Sequence, residues 1–124
     1  MGSRAMFVCH ENGEEYGAGI YIHWGGEGAL ELLKRAAPRM YMYDAHEAAA
    51  RLCGFLHEQL SGTRGLALCA PPQPGPDGEI DWKAYSAGDW GVIVIDVLDG
   101  RAECFAGSWA GQIVENLPFD QKDS

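Results

Sequence analysis

The feature that most constrains the fold is Val92–Leu98, a nearly continuous run of β-branched and other apolar residues. Such a run is typical of a strand that is buried in the middle of a sheet. Asp99-Gly100 follows it and favours a hairpin turn, because both residue types tolerate the backbone angles that such a turn requires. We therefore predict a return strand over residues 101–106 that lies antiparallel to the first.

A second hairpin is predicted near the N-terminus. Asn12-Gly13 is a strong two-residue turn signal, and it lies between apolar segments over residues 6–10 and 16–24. Gly17 and Gly19 weaken the second of these strands, so they indicate a bulge or a close backbone approach. These two hairpins predict a sheet that is mostly antiparallel.

Two helices are expected between the hairpins. Apolar residues at helical spacing predict the first over about residues 27–37, and Pro38 ends it. Asp44 is a favourable N-cap for the second, with Glu47 at the capping-box position, and Gly62 supplies a stop signal. A short apolar strand over residues 65–69 follows.

The whole chain, residues 1–124, is predicted to form one α+β domain. Its expected element order is β-β-α-α-β-β-β, with a mostly antiparallel sheet and two helices packed on one face. Residues 70–89 are rich in proline, glycine and carboxylates, so they predict a long surface loop with one helical turn near residues 82–86. The tail over about residues 118–124 is expected to be flexible.

The charge balance restricts the classes of partner. The chain has 9 Lys and Arg against 18 Asp and Glu, a net charge of −9. Binding to a nucleic-acid backbone or to an anionic membrane surface requires basic residues, so both are disfavoured. A partner with a basic patch is compatible with this charge.

The sequence also predicts a compartment. The apolar stretch after the N-terminus is too short for a signal peptide, and no apolar run approaches the length of a membrane span. Cys9, Cys53, Cys69 and Cys104 each lie within an apolar run, where free cysteine behaves as a small hydrophobic residue. We therefore expect reduced thiols and a cytoplasmic protein.

The acidic loop also carries aromatic residues, and this mixture is typical of protein-binding surfaces. Aromatic side chains supply contact area, while carboxylates attract a basic partner. The alternative is that the aromatic rings fold back onto the sheet. The predicted partner-binding residues are Asp77, Glu79, Asp81, Trp82, Tyr85, Asp89 and Trp90.

A His/Cys cluster offers a different interpretation. His46, Cys53 and His57 fall on one side of the second predicted helix, and the last two are spaced to reach one metal ion. Cys9-His10 would complete four ligands if the first strand packs nearby. The structural alternative is that Cys53 belongs to the core and His57 borders it, and on that basis no metal or other cofactor is predicted.

Three further motifs resemble known sites only in part. Gly25–Gly28 lies where a phosphate-binding turn would lie, but it lacks the full glycine pattern of such turns. Asp77-x-Glu79-x-Asp81 opens like a calcium loop but lacks its glycine and its last glutamate. Gly107–Gly111 has its serine one place too early for a nucleophile elbow. No catalytic residue is predicted.

Residues Gly19–Gly26, with the sequence Gly-Ile-Tyr-Ile-His-Trp-Gly-Gly, are distinctive. This stretch resembles small uncharacterised proteins of phages and other mobile elements, which carry a similar Val/Ile-Tyr-x-His-Trp-x-Gly motif after their first hairpin. The resemblance implies no activity and no catalytic residues. The motif itself predicts a ligand or partner patch formed by Tyr21, His23 and Trp24, or alternatively an anchor for the first helix.

Together these observations predict a small, acidic, non-enzymatic binding protein of a mobile element. One expected role is inhibition of a host nucleic-acid-handling defence complex, such as a CRISPR effector or nuclease, by occupation of its basic surface, in the manner of an anti-CRISPR protein. The alternative is a metal-binding or small-ligand protein or enzyme that uses the His/Cys cluster. Either a monomer or a homodimer is compatible with the sequence.

Overall fold

The structure is a computed structural model, and it describes residues 3–40, 44–60, 65–86 and 89–120. The strands are β1 (Ala5–His10), β2 (Gly19–Ile22), β3 (Leu66–Cys69), β4 (Val92–Asp96), β5 (Arg101–Phe105) and β6 (Ile113–Val114). The α-helices are α1 (Ala29–Ala36), α2 (Ala45–Gln59) and α3 (Trp82–Tyr85). The α+β class and the mostly antiparallel sheet are therefore confirmed.

The strands form one sheet in the order β3-β2-β1-β4-β5-β6. All neighbouring pairs are antiparallel except β1 and β4, which run parallel from Met6 opposite Val92 to His10 opposite Asp96. The sequence did not predict this central parallel pair, because neither local turn signals nor strand patterns specify which distant strands meet. The helices lie within the long connection between these two strands, as parallel neighbours require.

The first hairpin turns at the predicted residues. Asn12 and Gly13 both have positive φ, and Glu11 pairs with Glu14 across the turn. The return strand begins only at Gly19, so the predicted start at residue 16 is wrong. A β-carbon at Gly19 would collide with the hydroxyl of Tyr85, which confirms the close approach expected at this glycine.

The second hairpin differs from the prediction. β4 ends at Asp96 rather than at Leu98, and residues 97–100 form a four-residue turn. The Oδ1 atom of Asp96 accepts hydrogen bonds from the backbone N–H groups of Leu98 at 3.1 Å and Asp99 at 3.3 Å. Val97 is fully buried, so the turn itself contributes to the core.

One face of the sheet, here called the helix face, shares a single hydrophobic cluster with α1 and α2. The cluster contains Phe7, Ile20, Ile93, Leu33, Leu52 and Leu56, all of which are fully buried. Asp44 caps α2 as predicted, since its Oδ1 accepts from the N–H groups of His46 and Glu47.

Within the described ranges, none of the helices is long and apolar enough to cross a membrane.

The α-helices α1 and α2 are shorter than predicted. Residues 26–28 and 37–39 are 3₁₀ turns that flank α1, so the helix proper does not fill the predicted range of 27–37. The α-helical part of α2 ends at Gln59 with Leu60 as its C-cap, and the predicted stop at Gly62 lies outside the described residues.

The opposite face of the sheet, here called the loop face, has a smaller buried cluster. Met6, Val8, Val92 and Val94 form it, and half-buried side chains including Tyr16, Tyr21, Trp82, Tyr85 and Phe105 pack against them. The long loop thus returns across this face, and α3 confirms the helical turn predicted within it.

The C-terminal segment docks further along the chain than predicted. Residues 113–114 pair with β5 as the short strand β6, which the sequence did not indicate. Phe119 is buried, and the N–H of Asp120 donates to the carbonyl of Met40 at 2.7 Å. The predicted flexible tail over 118–124 is therefore anchored through Asp120, and its remainder lies outside the described residues.

Candidate protein-binding surface

Carboxylates from several segments converge where β1 and β4 end. Oε2 of Glu11 accepts from the N–H of Ala45 at 2.8 Å, which places the first hairpin beside the start of α2 and its cap Asp44. The imidazole of His46 lies 3.6 Å from Oε2 of Glu15. The carboxylate of Asp96 accepts from the N–H groups of Asn12 and Asp99, and so joins the two hairpin turns. We call this region the acidic end: Glu11, Glu14, Glu15, Asp44, Asp96 and Asp99.

Among the described residues, few basic side chains accompany this concentration of negative charge. Arg101 lies opposite Asp96 in the sheet, and its Nη1 is 3.5 Å from Oε1 of Glu103, so one carboxylate already accompanies it. Burial lowers the pKa of His10 despite the opposing influence of Asp96. Nδ1 of His10 accepts from the N–H of Gly13 at 2.7 Å, which requires that nitrogen to be unprotonated. The acidic end is therefore strongly negative at neutral pH.

A row of aromatic rings adjoins the acidic end on the loop face. His10 stacks on Tyr16 with ring centroids 5.0 Å apart, Tyr16 lies 5.9 Å from Trp82, and Trp82 stacks on Phe105 at 5.7 Å. These four rings line a cleft of about 210 Å³ together with Val94, Asp96, Asp99, Arg101 and Glu103. We call it the aromatic cleft. Two carboxylates of the acidic end, Asp96 and Asp99, therefore line it.

A second depression, of about 360 Å³, shares Tyr16 and Trp82 with the aromatic cleft and includes Glu79. Burial raises the pKa of Tyr16, and the charges of Asp96 and Glu79 raise it further. The fields of both carboxylates thus reach the same phenol. Tyr16 and Trp82 therefore line both depressions, and each depression also has at least one carboxylate in its lining.

The predicted loop residues have mixed roles. Asp77 and Asp81 stabilise the loop itself, since Asp77 accepts from the N–H of Glu79 and Asp81 caps α3 through the N–H of Ala84. Trp82 and Tyr85 fold back onto the sheet, as the alternative interpretation expected, and the hydroxyl of Tyr85 donates to the carbonyl of Ala70 at 2.6 Å. Trp82 nevertheless forms part of the wall of the aromatic cleft.

Asp89 and Trp90 lie at the opposite end of the sheet, beside the start of β1. Asp89 pairs with Arg4 at 3.4 Å, and this hydrogen-bonded partner lowers the pKa of the carboxyl. The indole N–H of Trp90 donates to the hydroxyl of Ser3 at 2.7 Å, and its ring contacts Trp109. The seven predicted partner-binding residues therefore do not form one continuous surface.

The Tyr-His-Trp motif lies at this same opposite end. The hydroxyl of Tyr21 is 2.7 Å from Nδ1 of His23, so the two side chains share a face as predicted. The rings of His23 and Trp24 meet edge to face at 4.8 Å, and Trp24 is 46% exposed. The motif forms a small polar-aromatic patch. Within this patch, Tyr21 contacts His23 and His23 contacts Trp24.

The predicted His/Cys cluster borders a groove between α2 and β3. His46, Cys53 and His57 all line it, with apolar neighbours that include Leu66 and the exposed Leu68, and its volume is about 540 Å³. Among the described residues, no group of three or more His, Cys, Asp or Glu side chains lies where it could hold one metal ion. The groove is a feature that helix periodicity alone could not reveal.

Cys9, Cys53 and Cys104 lack the electrostatic environment of reactive cysteines. Burial raises the pKa of Cys9 to about 12 and that of Cys104 to about 11, and it raises the pKa of Cys53 as well. A nucleophilic cysteine requires the opposite shift. All four cysteines are free thiols in the structure.

The glycine-rich turn is structural. The N–H of Gly26 donates to the carbonyl of Ser3 at 2.7 Å, and the N–H of Gly28 donates to that of Gly25. The carbonyl of Gly26 in turn accepts from the indole N–H of Trp109. These N–H groups are therefore already paired, which favours the tight-turn interpretation over an anion site.

Sequence patterns alone did not identify the residues of the first hairpin as a site. A signal was present, since Glu11, Glu14 and Glu15 surround the Asn12-Gly13 turn. Asp96 and Glu103 gave no comparable signal, because only the pairing of β1 with β4 and of β4 with β5 brings them near His10 at the end of β1.

Comparison with protein-family models, with curated proteins and with solved structures finds no match for this chain. The resemblance to proteins of mobile elements therefore stays a prediction.

Proposed function

We propose that this chain is a non-enzymatic binding protein that docks on a basic surface of a partner protein. The observation that carries this proposal is the convergence of carboxylates from both hairpins and from the start of α2 at the acidic end. Such a concentration attracts a positively charged partner and accelerates the encounter. The adjoining aromatic rings supply the kind of contact area that dominates binding energy in protein interfaces.

The chemistry of this surface favours a partner that normally handles nucleic acid. Proteins that bind phosphate backbones concentrate Lys and Arg in grooves or channels, and a rigid acidic surface competes for the same groups. Inhibition of a nuclease or of a CRISPR effector is one role of this kind. The proposal requires no bound cofactor and no covalent step.

The experiment is affinity capture from the host lysate at low salt, with proteins identified by mass spectrometry. The test variant carries Glu14→Gln, Glu15→Gln and Asp99→Asn at the acidic end. The matched control carries Glu27→Gln, Glu31→Gln and Glu58→Gln, which removes the same amount of charge at exposed positions elsewhere. Both variants are first checked for an unchanged melting temperature.

We expect the native chain and the control to capture the same basic, nucleic-acid-handling protein, and the acidic-end variant to lose it. Raising the salt to about 0.5 M should release it, because the Debye length then falls to only a few ångströms. Capture of no basic protein, or equal capture by both variants, would contradict the proposal.

One observation favours a second candidate function, which is binding of a small apolar ligand. The groove between α2 and β3 has a volume of about 540 Å³ and a mainly apolar lining, within the range of ligand pockets. Thermal-shift screening of small molecules tests it, with Ala50→Trp as a variant that fills the groove. A ligand that stabilises the native chain but not this variant would support the second candidate.

A further inference from the structure

We infer that the aromatic cleft receives an arginine side chain of the partner, as the specific anchor within the broader acidic surface. This inference rests on the proposed function, since it names the chemical group that the acidic surface would recognise. The juxtaposition that carries it is a cleft lined both by aromatic rings, Tyr16, Trp82 and Phe105, and by the carboxylates Asp96, Asp99 and Glu103.

The cleft attracts a cation in two independent ways. Aromatic faces attract cations through their quadrupole, whatever charges surround them. The three carboxylates that line the cleft add a direct charge attraction, and Arg101, which also lines it, offsets this only in part because it is a single cation. An uncharged or anionic side chain would gain neither contribution, so charge complementarity selects a cationic occupant.

Shape favours arginine over lysine. A guanidinium is planar, so it can stack on an aromatic ring and at the same time form paired hydrogen bonds with a carboxylate. Trp82 stacks on Phe105 with an interplanar angle of 19°. This stacking holds the indole in place within the same cleft as the carboxylates. A volume of about 210 Å³ suits one side chain rather than a folded segment.

The position of the cleft also fits the proposed interface. Asp96 lines the cleft and holds the hairpin turns of the acidic end together through the N–H groups of Asn12 and Asp99. A partner that is drawn to the acidic end therefore meets two of the residues that line the cleft, Asp96 and Asp99. The acidic end, which attracts the partner over a long range, and the aromatic cleft, which binds its arginine, therefore adjoin each other.

The test is an NMR titration of the native chain with acetyl-Gly-Arg-Gly-amide. The matched control peptide carries citrulline, which has nearly the same shape as arginine but no charge. We expect saturable shifts at the amides of Tyr16, Trp82 and Phe105, with binding of the citrulline peptide about tenfold weaker. A lysine peptide should bind more weakly than the arginine peptide, and a second titration with Ca²⁺ alone should leave the cleft signals little changed.

Variants provide a second measurement. Tyr16→Leu should weaken arginine-peptide binding by about threefold, whereas Tyr21→Leu, a half-buried tyrosine of the same face outside the cleft, should not. Melting curves identify any variant that fails to fold, and the titration of the native chain does not depend on them.

The outcomes separate the two proposals. If the arginine peptide causes no saturable shift at the cleft, if the citrulline peptide binds equally well, or if Ca²⁺ binds there more tightly, the arginine inference is wrong. The capture experiment can still support the acidic surface in that case. If the arginine peptide binds the cleft while capture does not depend on the acidic end, the proposed function is wrong and only the cleft chemistry stands.

Discussion

The two faces of the sheet are built differently. The helix face is sealed by aliphatic side chains such as Leu33, Leu52 and Leu56, which are fully buried. The loop face has a smaller buried cluster under half-buried aromatic rings, and carboxylates border it. The difference indicates that the helix face supplies most of the stability, while the loop face leaves polar and aromatic groups accessible, as the proposed binding requires.

The largest expected loss of stability comes from truncating a buried side chain on the helix face. Leu56→Ala should lower the free energy of unfolding by about 2–5 kcal/mol, because it removes a fully buried side chain and leaves a cavity. Urea denaturation followed by circular dichroism measures this change. Arginine-peptide binding to the fraction that remains folded should be unchanged, and a loss of that binding would argue against a division of roles between the two faces.

A smaller effect is expected where the loop meets the sheet. Gly19→Ala should destabilise the chain by about 1–3 kcal/mol, since its β-carbon would meet the hydroxyl of Tyr85 and the side chain of Met6. Gly54→Ala is the matched control, because its β-carbon would have open space on α2 and alanine favours helices by about 0.5–1 kcal/mol. Thermal melts should move in opposite directions. A shift of the same sign for both would contradict this packing.

Trp82→Leu should cost about 1–2 kcal/mol, less than a helix-face truncation, because Trp82 is only half-buried and a leucine retains part of its apolar contact. The same variant should lose most of its arginine-peptide affinity. Paired denaturation and NMR titrations should therefore show that Leu56→Ala affects mainly stability and that Trp82→Leu affects mainly arginine-peptide affinity. If Trp82→Leu loses stability but keeps its affinity, the two faces do not differ in role.

The smallest expected effect concerns His10. Burial lowers the pKa of this imidazole in the folded chain, whereas the unfolded chain takes up the proton near pH 6.5, about the ordinary value. The unfolded state then binds more protons, so the free energy of unfolding should fall as the pH drops below about 6.5 and stop falling below the folded pKa. NMR titration of the ring should give a midpoint below the ordinary value. His10→Gln should remove this part of the pH dependence.

Local chemistry made much of the fold predictable. The Asn12-Gly13 turn and the Asp44 cap occur as expected, because each depends on backbone angles and hydrogen bonds within a few residues. The helical turn in the acidic loop was predictable for the same reason, since Asp81 caps it locally. Patterns of this range specify elements but not their partners in space.

The candidate surface was less predictable, because it depends on long-range pairing. Glu79 and Trp82 were expected to contribute and lie beside the cleft, but Asp89 and Trp90 are at the other end of the sheet. Tyr16 was expected only as part of a strand. Its role follows from the segment before β2, where the chain leaves regular pairing and stacks the phenol against His10.

The parallel pair of β1 and β4 has a consequence for how the molecule reaches its native state. Met6 must find Val92, so the central contacts join segments that are far apart in the sequence. Such distant pairing makes folding slow relative to helical proteins of similar size. During synthesis, the first hairpin and helices α1 and α2 emerge before β4, the strand that pairs with β1, so their apolar surfaces stay exposed to chaperones until β4 has emerged.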